Sequence, residues 1–390
     1  MLKTLRLHNF RTFLNAEIEF TNRHLVIGKN NSGKTNLCAA LRFLGATAAK
    51  DLAASAQLVP GGVSEIGNWA FSSDTVDFSC TCELPFQGAG NVYVYDLQLQ
   101  METRDTWAHG GPLVLRVSHE RLVVNGAGST NVALLETDGH EAQVLDGNPF
   151  KPSIAKIPAP RDATMLSKLY ESETNRQAVL FRQYLSSWGY YALSPEAMRY
   201  GWRGSPTGLG ALVPHGDNLA TALYHLKNID EQRYRRVIEH VRLIEPDLEA
   251  INFVPAPDQA PVPFIALRNR HQASWAGLSD GTLRCLALAY VAESVEAVSD
   301  IAGPDVSPLV IIEEPENGIY PGQLRAFFDL FEERAPHKQF IFTSHSPYFI
   351  NFFDGYRESV TLLRRSKEIT EVVPVPPAED GSDREPLAEQ

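Results

Sequence analysis

Leu2, Leu5 and Leu7 sit among Lys3, Thr4, Arg6 and His8, the pattern of a strand with one buried face. Asn9 to Phe13 reads as a turn, and Ala16 to Phe20 as a second strand. His24 to Ile27 is an apolar run, followed after a glycine-rich break by Asn36 to Leu44, apolar at helical spacing. Alternation over Val76–Leu84 and Asn91–Gln100, then apolar runs at 113–115 and 122–124, predict an antiparallel β-layer. Residues 45–75, rich in Ala, Gly and Ser, give no clear element. Glycines and prolines between 126 and 160 predict a loop or linker. Helical spacing runs from Ala163 to about Tyr191, and again over 218–227 and 230–241. Strands return at 251–254 and 264–267, and a helix is expected over Leu283, Leu286, Ala287, Tyr290 and Val291. Two more apolar strands are expected at 308–312 and 339–342, and the proline- and acid-rich tail after Val373 is expected to be disordered.

This pattern divides the chain into an N-terminal lobe (1–160), a helical insertion (161–245), a C-terminal lobe (246–375) and a tail (376–390). No a/d heptad is sustained through the insertion, so no long coiled coil is expected.

Of the 390 residues, 44% are hydrophobic and 21% charged, a globular profile. No apolar run reaches the roughly 18 residues of a membrane span, and the N-terminus does not read as a signal peptide. Four cysteines without C-x-x-C spacing are expected to be reduced packing residues in a cytoplasmic protein. The net charge of −12 argues against a broadly basic nucleic-acid-binding surface, and the arginines at 233, 235, 236, 364 and 365 read as solvated faces or ion pairs rather than DNA contacts.

The chemistry concentrates in three stretches. Gly28, Lys29, Asn30, Asn31, Ser32, Gly33, Lys34 and Thr35 spell G-x-x-x-x-G-K-T between a predicted strand and a predicted helix that opens at Asn36. In that setting the loop amides and helix N-terminus cradle phosphates, Lys34 reaches the β- and γ-phosphates, and Thr35 offers its hydroxyl to Mg²⁺. The apolar strand ending in Glu313 and Glu314 is a Walker B arrangement. Glu313 is assigned to Mg²⁺ through water and Glu314 to the attacking water. His345 stands just past the end of the following strand.

The opening LKTLRLHNFRTFLNAEIEF, followed at once by GKNNSGKTN, resembles the start of RecF, SMC and OLD-type ATPases, the ABC-ATPase branch of P-loop proteins. Leu278-Ser279-Asp280-Gly281-Thr282 resembles the ABC signature, and Glu314 to Pro321 resembles the OLD-type string EPENGLHP, with Ile319 and Tyr320 as departures. Glu313 departs from the Asp that many ABC proteins have at this position and in this looks like the OLD-type branch. The resemblance covers about 1–50 and 275–350, and the β-layer more loosely.

It implies an α/β fold: a two-lobed ABC-ATPase head, with a P-loop α/β lobe and an antiparallel β-layer lobe. It implies ATP hydrolysis to ADP and phosphate with Mg²⁺, with Arg11 as a phosphate contact and His345 as the γ-phosphate sensor. Ser279 and Gly281 would complete the site of a second subunit, so the partner is a second copy, in a homodimer or larger homo-oligomer. The γ-phosphate-sensing glutamine of ABC proteins has no clear counterpart; Gln57 lacks the context. OLD nucleases carry a Toprim module after the ATPase, and too few residues follow His345 for one here. The resemblance to stand-alone ATPases of bacterial antiphage systems therefore implies a separate effector protein. The rival expectation is a RecF-like DNA-repair factor, with DNA as its partner; a third is an assembly that binds ATP and hydrolyses it slowly. No membrane partner is expected.

Overall fold

The computed structural model describes residues 1–68, 73–103, 112–126, 131–148, 151–201, 211–254, 261–268, 271–294, 306, 308–353, 357–373 and 375. The predicted disordered tail, 376–390, lies outside them.

One lobe is an eight-stranded antiparallel sheet. Its strands are β1 (Leu2–Phe10), β2 (Phe13–Glu19), β4 (Thr75–Phe86), β5 (Ala89–Thr103), β6 (Leu113–Gly126), β7 (Val132–Thr137), β8 (Glu141–Asn148) and β9 (Lys151–Pro158). Their order is β2-β1-β4-β5-β6-β7-β8-β9. The two apolar runs at 113–115 and 122–124 are the ends of one strand, β6, opposed along its length by β5.

The linker expected over 126–160 is instead three strands. Their turn-forming residues are compatible with pairing because, among the described residues, β9 is the outermost strand with β8 as its one neighbour, so Pro158 withholds no ladder donor from a second strand.

The other lobe is a six-stranded sheet in the order β10-β14-β15-β3-β16-β17. It comprises β3 (Arg23–Ile27), β10 (Gly189–Tyr191), β14 (Leu309–Glu313), β15 (Gln339–Ser344), β16 (Val360–Ser366) and β17 (Ile369–Val373). All neighbours run parallel except β16 and β17. Both faces are covered, as parallel sheets require. Val26, Ile311 and Ile341 pack toward α1 (Lys34–Thr47) and the large sheet, while Leu25, Ile27, Val310, Ile312, Phe340 and Phe342 face a second core. Helix α1 therefore lies between the two sheets.

The remaining helices are α2 (Leu52–Ala56), α3 (Met165–Lys168), α4 (Arg176–Ser186), α5 (Pro195–Tyr200), α6 (Leu219–Ile229), α7 (Glu231–Val241), α8 (Asp280–Glu293), α9 (Pro321–Arg334) and α10 (Pro347–Ile350). A small sheet, β11 (Leu248–Val254), β12 (Val262–Leu267) and β13 (Gln272–Ser274), accompanies them. Among the described residues the longest helices have 14 residues, and no long coiled coil occurs. The stretch 161–245 supplies α3 to α7 and also β10, which pairs with the Glu313-bearing strand.

The two lobes are tied by fully buried Gln339. Its side chain accepts from the Leu2 amide at 2.8 Å and donates to the carbonyls of Leu2 at 2.7 Å and Thr21 at 3.0 Å.

Inside the β-layer lobe, fully buried Glu120 accepts from Tyr95 Oη at 2.9 Å and from the first amides of α3, Met165 at 2.6 Å and Leu166 at 3.0 Å. Burial pushes its carboxyl up to about 7, against the pull of those donors. The folded state therefore holds this proton more tightly than the unfolded chain. Glu120's contribution to stability is present below about pH 4.5 and is lost as pH rises through about 7. The loss expected over that window is about 3 kcal/mol. Urea unfolding of wild type and Glu120→Gln at about pH 5 and about pH 8 checks this, with the smaller decline expected in the variant.

Candidate nucleotide site

Strand register brings the three motif stretches to one edge. Ile27 pairs with Ser344 and Glu313 with Thr343, so β3, β14 and β15 end at one level. Residues immediately past those ends, Gly28, Glu314 and His345, must share the carboxyl edge of the sheet, where open α/β sheets bind ligands.

The loop after β3 is shaped by its glycines. Gly28 and Gly33 have φ of 155° and 110°, and Asn31, at φ 67°, tolerates the left-handed region. A Cβ on Gly33 would lie 2.5 Å from Thr370 Oγ1, and one on Gly28 would collide with the Leu363 carbonyl and Ser32 Oγ. Gly33 opens α1 without any side-chain cap, so the first helix amides face the loop. Asn30, Asn31 and Thr35 are exposed at the loop surface, whereas Ser32, Gly33 and Lys34 are buried.

Lys34 Nζ donates to the Gly28 carbonyl at 2.6 Å and to Lys29 at 3.3 Å, folding the side chain back over the loop. Burial lowers its pKa, while Glu314, Glu316 and Glu313, acting through space, oppose that shift. One lysine thus sits in the field of three carboxylates.

Glu314 occupies φ 45°, uncommon for a residue with a side chain and a mark of local strain. Its amide donates to Thr343 at 3.0 Å. Its Oε1 meets His345 Nδ1 at 3.0 Å, and its Oε2 accepts from Asn317 Nδ2 at 2.6 Å. Glu316 is buried and accepts from Ser344 Oγ, which also accepts from the Ser346 amide at 3.0 Å. Desolvation raises the Glu316 carboxyl, and its Oε2 has no hydrogen-bond partner among the described residues. The 313–318 loop and the 344–346 loop are therefore fastened together twice, through Glu314–His345 and Glu316–Ser344.

Glu313 accepts from Tyr190 Oη at 3.1 Å. Among the described residues no group of three or more His, Cys, Asp or Glu could enclose a metal. A carboxylate and a hydroxyl, Glu313 and Thr35, nevertheless suit Mg²⁺, which keeps most of its waters and takes its remaining oxygens from phosphates.

Arg11 and Asn36 lie beside the loop, on the turn between β1 and β2 and on α1. Arg11 donates to Asn36 Oδ1 at 2.8 Å, Pro60 O at 2.7 Å and Glu65 O at 3.4 Å. Asn36 Nδ2 donates to Thr12 Oγ1 at 2.9 Å. Thr12 Oγ1 in turn meets Thr370 Oγ1 at 2.7 Å, and Thr370 Oγ1 donates to the Ser32 carbonyl at 3.0 Å. Arg11 therefore braces the segment around residues 60–65.

Ser279 and Gly281 lie at the start of α8, against the 313–318 loop. Ser279 caps α8, accepting from the Thr282 amide at 3.0 Å, and among the described residues neither bonds to the Gly28–Asn36 loop. Arg199 fixes this turn through Ala276 O at 2.7 Å, Leu278 O and Asp280 Oδ1 at 2.5 Å. A Cβ on Gly281 would lie 2.6 Å from the Gly318 carbonyl, so the α8 turn packs directly on the 313–318 loop.

Sequence reasoning did not find Tyr190, Arg199 or Thr370; each is brought in from a distant segment without a local signal. Asn317 lies in the Glu314–Pro321 string, and an amide three residues past an acid at a strand end was a readable cue.

Comparison with known proteins accords with this geometry. Residues 1–84 match the family described as "AAA ATPase domain", and residues 213–351 match "AAA domain, putative AbiEii toxin, Type IV TA system". No curated protein matches the chain at a significant level. Among solved structures, an SMC head bound to the C-terminal winged-helix domain of ScpA aligns over 95% of this chain and 97% of its own, at 12% identity and a TM-score of 0.54. An SMC head domain from Thermotoga maritima aligns over 96% of this chain and 99% of its own, at 13% identity and a TM-score of 0.42. One from Pyrococcus furiosus, bound to the C-terminal domain of ScpA, aligns over 95% of each chain at 12% identity and a TM-score of 0.43. The two family matches support one class, an ATPase, and the solved SMC head shows that the fold is of the same kind.

Because Gly281 has no room for a methyl, Gly281→Ala is expected to lower stability by about 1–3 kcal/mol. Equilibrium urea denaturation measures it; an unchanged midpoint would contradict the close packing of the two turns.

Proposed function

We propose that the protein hydrolyses ATP to ADP and phosphate, with two copies closing on shared nucleotide, and that the cycle controls a separate effector protein. The observation that carries the catalytic part is the Glu314–His345 contact at 3.0 Å, at the level of the phosphate-binding loop.

In this reading Gly28, Asn30, Asn31, Ser32, Gly33 and Asn36 form or support the phosphate cradle, and Lys34 leaves the Gly28 carbonyl for the β- and γ-phosphates. Thr35 and Glu313 would hold Mg²⁺, which supplies charge neutralisation at the phosphates. Glu314 accepts the proton of the attacking water, its carboxylate aimed by Asn317 and His345. His345, half exposed, reports the presence of the γ-phosphate to Glu314. Arg11 supports the cradle through Asn36. Ser279 and Gly281, which make no bond to the Gly28–Asn36 loop among the described residues, would serve the nucleotide of a second copy.

The effector reading draws support from the family description, which names a putative toxin and a type IV TA system, and from the SMC head solved with a ScpA domain. Antiphage defence is the setting we favour, in the cytoplasm. The −12 net charge weighs against the rival reading as a DNA-repair ATPase.

Glu314→Gln is expected to cut kcat by about 10²–10⁴ while keeping ATP affinity. Lys34→Ala is expected to lose ATP binding itself. Steady-state phosphate release and nucleotide titration measure both, and equal kcat in wild type and Glu314→Gln would overturn the catalytic assignment. Tagged Glu314→Gln purified with ATP and Mg²⁺ is expected to retain a stoichiometric second protein. Recovery of DNA with no protein partner would favour the repair reading instead.

A further inference from the structure

Tyr190 belongs to none of the motifs. It lies on β10, the edge strand contributed by the 161–245 stretch, paired with Ile311 two residues before Glu313. Its hydroxyl donates to Glu313 Oε1 at 3.1 Å, and its ring lies under the Arg42 guanidinium at 4.0 Å. Arg42 belongs to α1, the helix that opens on the phosphate-binding loop. The Cys38 thiol, on the same helix, faces the same carboxylate; burial first, and Glu313 beside it, push that thiol well up and keep it neutral.

These contacts answer a problem posed by the sequence. Glutamate has one more rotatable bond than aspartate, so a Glu at the end of β14 needs something to choose its rotamer. An uncharged phenol held in place by a cation on its ring does this without competing for the carboxylate's charge.

We propose that Tyr190 is a positioning residue that fixes the Glu313 carboxylate for Mg²⁺ and couples the metal site to α1 through Arg42. The inference rests on the ATPase reading and adds to it a residue from outside its motifs. Removing an outer hydrogen bond of this kind costs about 10–100-fold in metal affinity.

Tyr190→Phe keeps the ring and its stacking and deletes only the hydroxyl. The test compares fluorescent ATP-analogue binding in EDTA with binding in Mg²⁺, and follows Mn²⁺ uptake in the presence of ATP by the loss of free-ion signal in electron paramagnetic resonance. The variant is expected to bind the nucleotide in EDTA like wild type, and to bind Mn²⁺ about tenfold or more weakly. Equal weakening with and without metal would mean a merely structural role, and wild-type Mn²⁺ affinity would mean no role; either overturns the proposal while leaving the ATPase reading standing. A wild-type protein that binds no nucleotide would overturn both. Should Tyr190→Phe melt early, Tyr190→His, which restores a donor on a ring, is expected to recover part of the Mn²⁺ affinity, and a failure to recover any counts against the proposal.

Discussion

The parallel register of β3, β14 and β15 is the constraint on which the rest depends. Hydrogen bonding pairs Ile27 with Ser344 and Thr343 with Glu313, so three chain segments must end together. Nothing about the loops themselves enforces this; the buried strands do. Both faces of the sheet are packed, and a slip of one residue would exchange the set facing α1 with the set facing the second core. The same packing that stabilises the lobe therefore fixes the height at which glycine loop, paired acids and histidine meet.

On that level platform the loops are held by side-chain hydrogen bonds. Glu314 sits at an unfavourable φ and is kept there by its amide bond to Thr343 and by Asn317 and His345. Glu316 is a buried carboxyl with one oxygen bonded to Ser344 and one without a partner among the described residues, an arrangement that costs stability. Strain and an unsatisfied polar atom in one short loop are the mark of a segment shaped for something other than stability alone.

The β-layer lobe is physically coupled to this loop system. Gln339 threads its amide between β1 and β15, and Thr370 joins the β1–β2 turn to Ser32 while filling the space a Cβ on Gly33 would need. Arg11 extends the contact to residues 60–65. A displacement of the phosphate-binding loop would therefore be felt by both sheets.

Sequence alone determined much of this. The G-x-x-x-x-G-K-T string and the apolar strand ending in Glu313 and Glu314 are local patterns, because phosphate cradles and strand tips are built from neighbouring residues. The alternating β-layer was legible for the same reason, since period-two burial is written along each strand. The three strands within 126–160 were hidden because an outermost strand can carry the prolines that signal a loop elsewhere. What only the tertiary structure decided are contacts between segments far apart in the chain. Tyr190 reaches Glu313 because β10 pairs with β14, Thr370 fills the space beside Gly33, and Arg199 steadies the Ser279 turn. A pairing between distant strands leaves no spacing in either one, so these residues become readable only once the sheets are assembled.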